Sequence, residues 1–156
     1  MPTPARIAEP PPTHVAWLGY GGLLPFIGLA VLMFADAGRE ALWSRALVGY
    51  GAVILSFVGA LHWGVAMSAA SLAPGLRRHA FLWSVVPSLL AWVATVLPEG
   101  IGSAVLVLGF AAHLTQDHRL AGPAALPAWY LPLRRRLTAV AIVCLLPCAG
   151  HVWARG

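Results

Sequence analysis

The chain has 156 residues, a net charge of +5, 60% hydrophobic residues and only 10% charged ones, with a mean hydropathy of +0.79. Soluble domains carry about 25% charged residues, so an ordinary water-soluble enzyme is excluded. All 10 basic residues are arginines, and they border apolar stretches, where they set topology and meet anionic headgroups; this excludes a nucleic-acid-binding domain.

Residues 1–13 form a polar tail with Pro2, Pro4, Pro10, Pro11 and Pro12, a composition that predicts disorder. The first apolar stretch covers 15–34. Ala35-Asp36-Ala37 resembles a signal-peptide cleavage site, but the stretch exceeds a signal core of about 7–15 residues, so an uncleaved helix is expected. A second span covers 46–68. The third, 80–97, ends at the turn signal Pro98-Glu99-Gly100. The fourth, 101–116, has a short apolar core (Ile101–Leu114) that must extend, thin the bilayer or cross incompletely. Residues 117–136 then read as a loop, because Pro123, Pro127 and Pro132 oppose a long helix. Trp129 and Tyr130 with Arg134, Arg135 and Arg136 predict that this loop lies in the interface as an anchor. The last span is 137–153. Cys144 and Cys148, one turn apart around Pro147, read as small packing residues.

Backbone amides in lipid must be bonded internally, so the spans are helices. The expected fold is all-α, an integral membrane bundle of about five transmembrane helices forming one domain, 14–156. Arg6, Arg77, Arg78, Arg119, Arg134, Arg135 and Arg136 fall on one side and Arg39, Arg45 and Arg155 on the other. This places the N-terminus in the cytoplasm and the C-terminus in the periplasm, provided all five segments cross.

Ala52, Ser56, Ala60, Gly64 and Ser68 recur every four residues along the second span and predict a close-packing ridge, with dimerisation as the alternative. His14, His62, His79, His113 and His118 gather toward the cytoplasmic side, and His151 does not. An ionisable group within a span invites a functional reading. His62 and His113, with Trp63 beside the first and Asp117 just beyond the second, form the candidate cofactor site. It would suit a shared metal, axial haem ligation or a quinone carbonyl, with Asp117 orienting an imidazole. The alternative is an interhelical hydrogen bond and headgroup contacts. Trp63 and Trp92 lie deeper than the other tryptophans, as packing residues or as a wall for a flat ligand. Ser84 and Ser88 flank Pro87, where a hydroxyl can satisfy the carbonyl that proline frees. No nucleophile–base pair, phosphate loop or series of acids along a span is present.

Leu18-Gly19-Tyr20-Gly21-Gly22-Leu23-Leu24-Pro25-Phe26, Tyr50-Gly51-Ala52-Val53-Ile54-Leu55-Ser56-Phe57 with Gly59-Ala60-Leu61-His62-Trp63-Gly64, and Pro127-Ala128-Trp129-Tyr130-Leu131 with Leu133-Arg134 resemble the family known as domain of unknown function 3429, which includes transmembrane protein 69 of mitochondria. Asp117 resembles a further mark. The resemblance implies a small multi-span protein of bacterial inner or mitochondrial membranes and implies no activity. The resulting expectation is a non-enzymatic membrane protein that binds a partner protein or a hydrophobic cofactor near the cytoplasmic face, alone or as a homo-oligomer. The alternatives are an assembly factor without a ligand site, and a small transporter or membrane enzyme.

Overall fold

A computed structural model of the chain describes residues 10–154, with side chains through 150. The expected tail up to residue 9, Arg6, Arg155 and the side chains of His151 and Trp153 therefore lie outside the described residues. The described chain is a helical bundle without strands: α1 (Thr13–Gly21), α2 (Leu24–Ala35), α3 (Glu40–Ser68), α4 (Pro74–Val96), α5 (Glu99–Ala121) and α6 (Tyr130–Ala154), with a short 3-10 turn (Ala37–Arg39) before α3. Among the described residues, Thr13–Ala35, Ala37–Ser68 and Pro74–Val96 are long and apolar enough to cross a membrane.

The first apolar stretch is broken rather than continuous. Pro25, in the first turn of α2, has no N–H to offer the carbonyl one turn back, which favours ending α1 there. The Gly22 carbonyl, also at the break, accepts from the Tyr50 hydroxyl of α3, at 2.8 Å. Phe26 then packs edge-on against Tyr50, with ring centroids 5.0 Å apart. Phe26, Leu47, Leu55, Leu106 and Leu145 form the centre of the core.

The fourth stretch is longer than its apolar core. α5 has 23 residues, about 35 Å at 1.5 Å each, and continues through His113, Gln116 and Asp117 to Ala121. The expected loop 117–136 shrinks to 122–129. Proline did not prevent this, because Pro132 falls in the first turn of α6, where its missing N–H has no helical partner to lose.

Close packing rests on glycines that the four-residue ridge does not contain. A Cβ on Gly59 would stand 2.8 Å from the Pro87 Cβ, one on Gly109 2.7 Å from Leu55, and one on Gly102 would collide with the Ala94 carbonyl. Ala52 is buried, but Ala60, Gly64 and Ser68 are exposed, and a Cβ on Gly64 would meet nothing within 4 Å. Each i to i+4 step turns about 40° around a helix of 3.6 residues per turn. Four steps therefore carry the line from the inside at Ala52 to the outside at Ser68. Gly51, Leu55, Gly59, His62 and Ala66 form the inward face instead. Near Pro87, the Ser84 hydroxyl donates to the Phe81 carbonyl at 2.7 Å, not to the Trp83 carbonyl that the proline frees.

Candidate functional site

The chain direction brings the end of α3, the start of α4, the end of α5 and the start of α6 to one end of the bundle. A polar cluster is buried between these four helix ends. At its centre Asp117 has no exposed side-chain surface. Its Oδ2 accepts from Arg134 Nε at 2.7 Å. Its Oδ1 accepts from His62 Nε2 and from the Tyr130 hydroxyl, both at 3.0 Å. Donors from α3 and α6 thus converge on one carboxylate of α5. Helical spacing accounts for the arrangement, since Tyr130 and Arg134 are four residues apart on α6, as are His113 and Asp117 on α5.

His113 is fully buried, and its ring centroid lies 4.6 Å from that of His62. Its Nδ1 accepts from Trp83 Nε1–H at 3.0 Å. That bond places the proton of the neutral ring on Nε2, which faces Asp117 Oδ1 at 3.7 Å, too far for a hydrogen bond. His113 Nε2, Arg134 Nη2 and Thr138 Oγ1 are buried without a hydrogen-bond partner among the described residues. At the outer edge, His79 pairs with Gln116 at 3.1 Å and stacks on Trp83. Arg77 of α4 donates to the Ala66 and Ala69 carbonyls, both at 2.8 Å, capping the end of α3.

His62, His113 and Asp117 therefore come together as the sequence suggested, whereas Trp63 does not join them. Trp63 is 48% exposed and packs edge-on against Phe81, with centroids 4.9 Å apart. Trp92 also points outward. Two residues expected as interfacial anchors, Tyr130 and Arg134, turn inward to Asp117. Arg135 and Arg136 remain exposed, and Trp129 is half-buried. Trp83, the fixed partner of His113, carried no site signal beyond its aromatic type. His14 and His118 are exposed.

One ligand atom each from His62, His113 and Asp117 lies within 4.8 Å of the others, a spacing that would suit a metal. The donor set does not. A metal on His113 Nε2 would require the proton on Nδ1, where it would oppose the Trp83 N–H. The Arg134 guanidinium also stands directly on the carboxylate, where it would repel a cation. Axial haem ligation meets a related conflict, because both imidazole Nε2 atoms face the same buried carboxylate. An open cleft of about 580 Å³ lies at the opposite end of the bundle, lined by Arg45, Val48, Gly49, Thr95 and Glu99 among others.

A family model described as "Protein of unknown function (DUF3429)" matches residues 11–149. Transmembrane protein 69 of Xenopus tropicalis is 33% identical over 135 residues, covering 86% of this chain and 53% of that protein. The Mus musculus protein of the same name is 26% identical over 133 residues, covering 85% and 54%. The chain thus spans about half the length of the curated relatives it matches. No solved structure matches. The likeness covers all six helices, from α1 into α6, and with it every residue of the buried cluster: the chain is a membrane protein that belongs to the DUF3429 family.

Proposed function

We propose that the protein is a multi-pass accessory protein of the bacterial inner membrane that binds a partner protein at the cluster end of its bundle and performs no chemistry there. All five apolar segments cross in this reading, with the cluster end and the N-terminus on the cytoplasmic side. The observation that carries it is the saturation of Asp117. Its carboxylate is occupied by Arg134, His62 and Tyr130, so the cluster acts as a clamp on α3, α5 and α6. A buried polar group in a membrane is costly and marks function. Here its effect is to hold the loops 69–73 and 122–129 in one arrangement for a partner to meet. Ser71 Oγ, which donates to the Pro123 carbonyl at 2.9 Å, joins those two loops.

The hydrophobic-cofactor version finds less support, because the imidazole donors it needs face one carboxylate. A proton-coupled transporter would need a carboxylate free to change partners, whereas both oxygens of this one are occupied by Arg134, His62 and Tyr130.

A photo-crosslinking residue placed at Ala70 or Gly122, both exposed in or beside these loops, is expected to give an adduct of defined mass in native membranes. The same residue at Val53, exposed on the apolar flank, is expected to give none. No adduct at the loops would remove the partner reading. A haem or quinone spectrum that His62→Ala abolishes would restore the cofactor reading.

A further inference from the structure

The two ends of the bundle differ in how they treat charge. At the end opposite the cluster, the two arginines among the described residues are neutralised within the chain: Arg39 pairs with Asp36 and Arg45 with Glu99, each at 3.1 Å. At the cluster end Asp117 is the only acid among the described residues, and it is buried against Arg134. Arg78 on α4, Arg119 on α5 and Arg135 on α6 are exposed there and make no hydrogen bond or ion pair among the described residues. Among the described residues, Arg136 reaches only the Tyr20 hydroxyl, at 3.4 Å.

We infer that this end is a binding surface for anionic phospholipid, with Arg78, Arg119 and Arg135 engaging headgroup phosphates and Arg136 with Tyr20 framing a further contact between α1 and α6. The inference rests on the multi-span reading above. Lipid is favoured over an acidic polypeptide by what accompanies the charges. α1 lies against the start of α6, where Gly19 approaches Leu137 and Leu133, and it exposes Trp17 (75%) and Leu18 (77%). The Arg136 guanidinium, which reaches Tyr20 of α1, and the exposed indole and leucine of the same helix match a molecule that carries both a phosphate and acyl chains. An acidic peptide would meet only the charges. Guanidinium is also suited to phosphate, which it engages through paired N–H donors.

The test uses the full chain in mild non-ionic detergent, with phosphatidylglycerol or phosphatidylcholine added at rising mole fraction and the thermal midpoint followed by tryptophan fluorescence. Phosphatidylglycerol is expected to raise the midpoint and phosphatidylcholine to leave it unchanged. Each of Arg78→Gln, Arg119→Gln and Arg135→Gln should raise the phosphatidylglycerol mole fraction needed for half of the rise about fivefold, and the triple variant should show no rise over the accessible range. Arg39→Gln, at the self-neutralised end, should leave it unchanged. The midpoint in phosphatidylcholine alone reports whether the variants fold. An equal response to both lipids, or a phosphatidylglycerol response that survives in a folded triple variant, overturns the inference. A response to polyglutamate but not to phosphatidylglycerol overturns it in favour of an acidic protein. Loss of the crosslinked adduct with the lipid response intact would sink the partner reading alone.

Discussion

Breaking the Asp117–Arg134 pair on one side only is expected to be the most damaging single change in the polar cluster. In Asp117→Asn the Arg134 side chain, 8% exposed, keeps its charge without a counter-ion. The new amide also turns its NH2 toward the Arg134 Nε donor if its oxygen stays with His62 and Tyr130. Stranding one member of a buried pair costs about 3–5 kcal/mol. For a chain of this size that lowers the thermal midpoint by about 6–20 °C. Arg134→Met strands the carboxylate instead and should cost a similar amount. The double variant Asp117→Asn/Arg134→Met strands neither charge, so its loss should fall short of the summed single losses by about 2 kcal/mol or more. The 7 tryptophans allow unfolding to be followed in detergent for all four proteins. Single losses below about 1 kcal/mol, or a double variant whose loss equals the sum, would refute the view that these charges support each other in a dry interior.

Gly102→Ala is expected to destabilise by about 1–3 kcal/mol, because its Cβ meets the Ala94 carbonyl, a backbone atom that cannot swing away. Gly64→Ala, with open space around it, should be neutral or stabilise by about 0.5–1 kcal/mol through helix propensity; thermal midpoints of the two variants check the contrast. A chelator or added zinc should leave the wild-type midpoint unchanged, since Trp83 and Arg134 oppose a cation at His62, His113 and Asp117. A zinc-dependent rise that His62→Ala removes would show that the cluster rearranges to take a metal.

The apolar segments were legible in the sequence because composition alone identifies them. Their ends were not, for a specific reason. His113, Gln116, Asp117, His118 and Arg119 make the last turns of α5 look like a loop, and Asp117 becomes tolerable in a helix interior only once Arg134 reaches it from α6. A local signal did exist: His113 and Asp117, then Tyr130, Arg134 and Thr138, repeat at four-residue spacing, which puts each set on one helix face. Reading the prolines as forbidding helix obscured it, since Pro132 sits where a helix accepts proline. The small-residue line leaves the interior of the bundle for a geometric reason, its drift of about 40° per step. Trp63 adjoins His62 in sequence, but neighbouring helical residues project about 100° apart, which carries its ring outside. Trp83 was out of reach of local reasoning, because its role depends on how α4 lies against α5.

The position of the polar contacts along α5 and α6 bears on why the cluster is charged at all. Between helices in lipid, apolar side chains gain little from each other that acyl chains do not also offer, so several sliding registers of two apolar helices lie close in energy. α5 and α6 are held at two levels by groups that cannot be satisfied after a slip. Asp117 meets Arg134 at 2.7 Å near one end, and the Ser103 hydroxyl donates to the Leu145 carbonyl, also at 2.7 Å, toward the other. A slip of one turn, about 5.4 Å, separates both pairs together. Replacing Asp117 and Arg134 with leucine should therefore leave a helical bundle but release its register. Spin labels at Leu108 and Val143, both exposed, in a background with Cys144 and Cys148 changed to alanine, would read this directly. The wild-type pair should give one narrow distance distribution, and the leucine variant a broadened one or a second population displaced by about a turn. A single unchanged distance would mean that apolar packing alone sets the register, leaving the buried charges to be explained by binding.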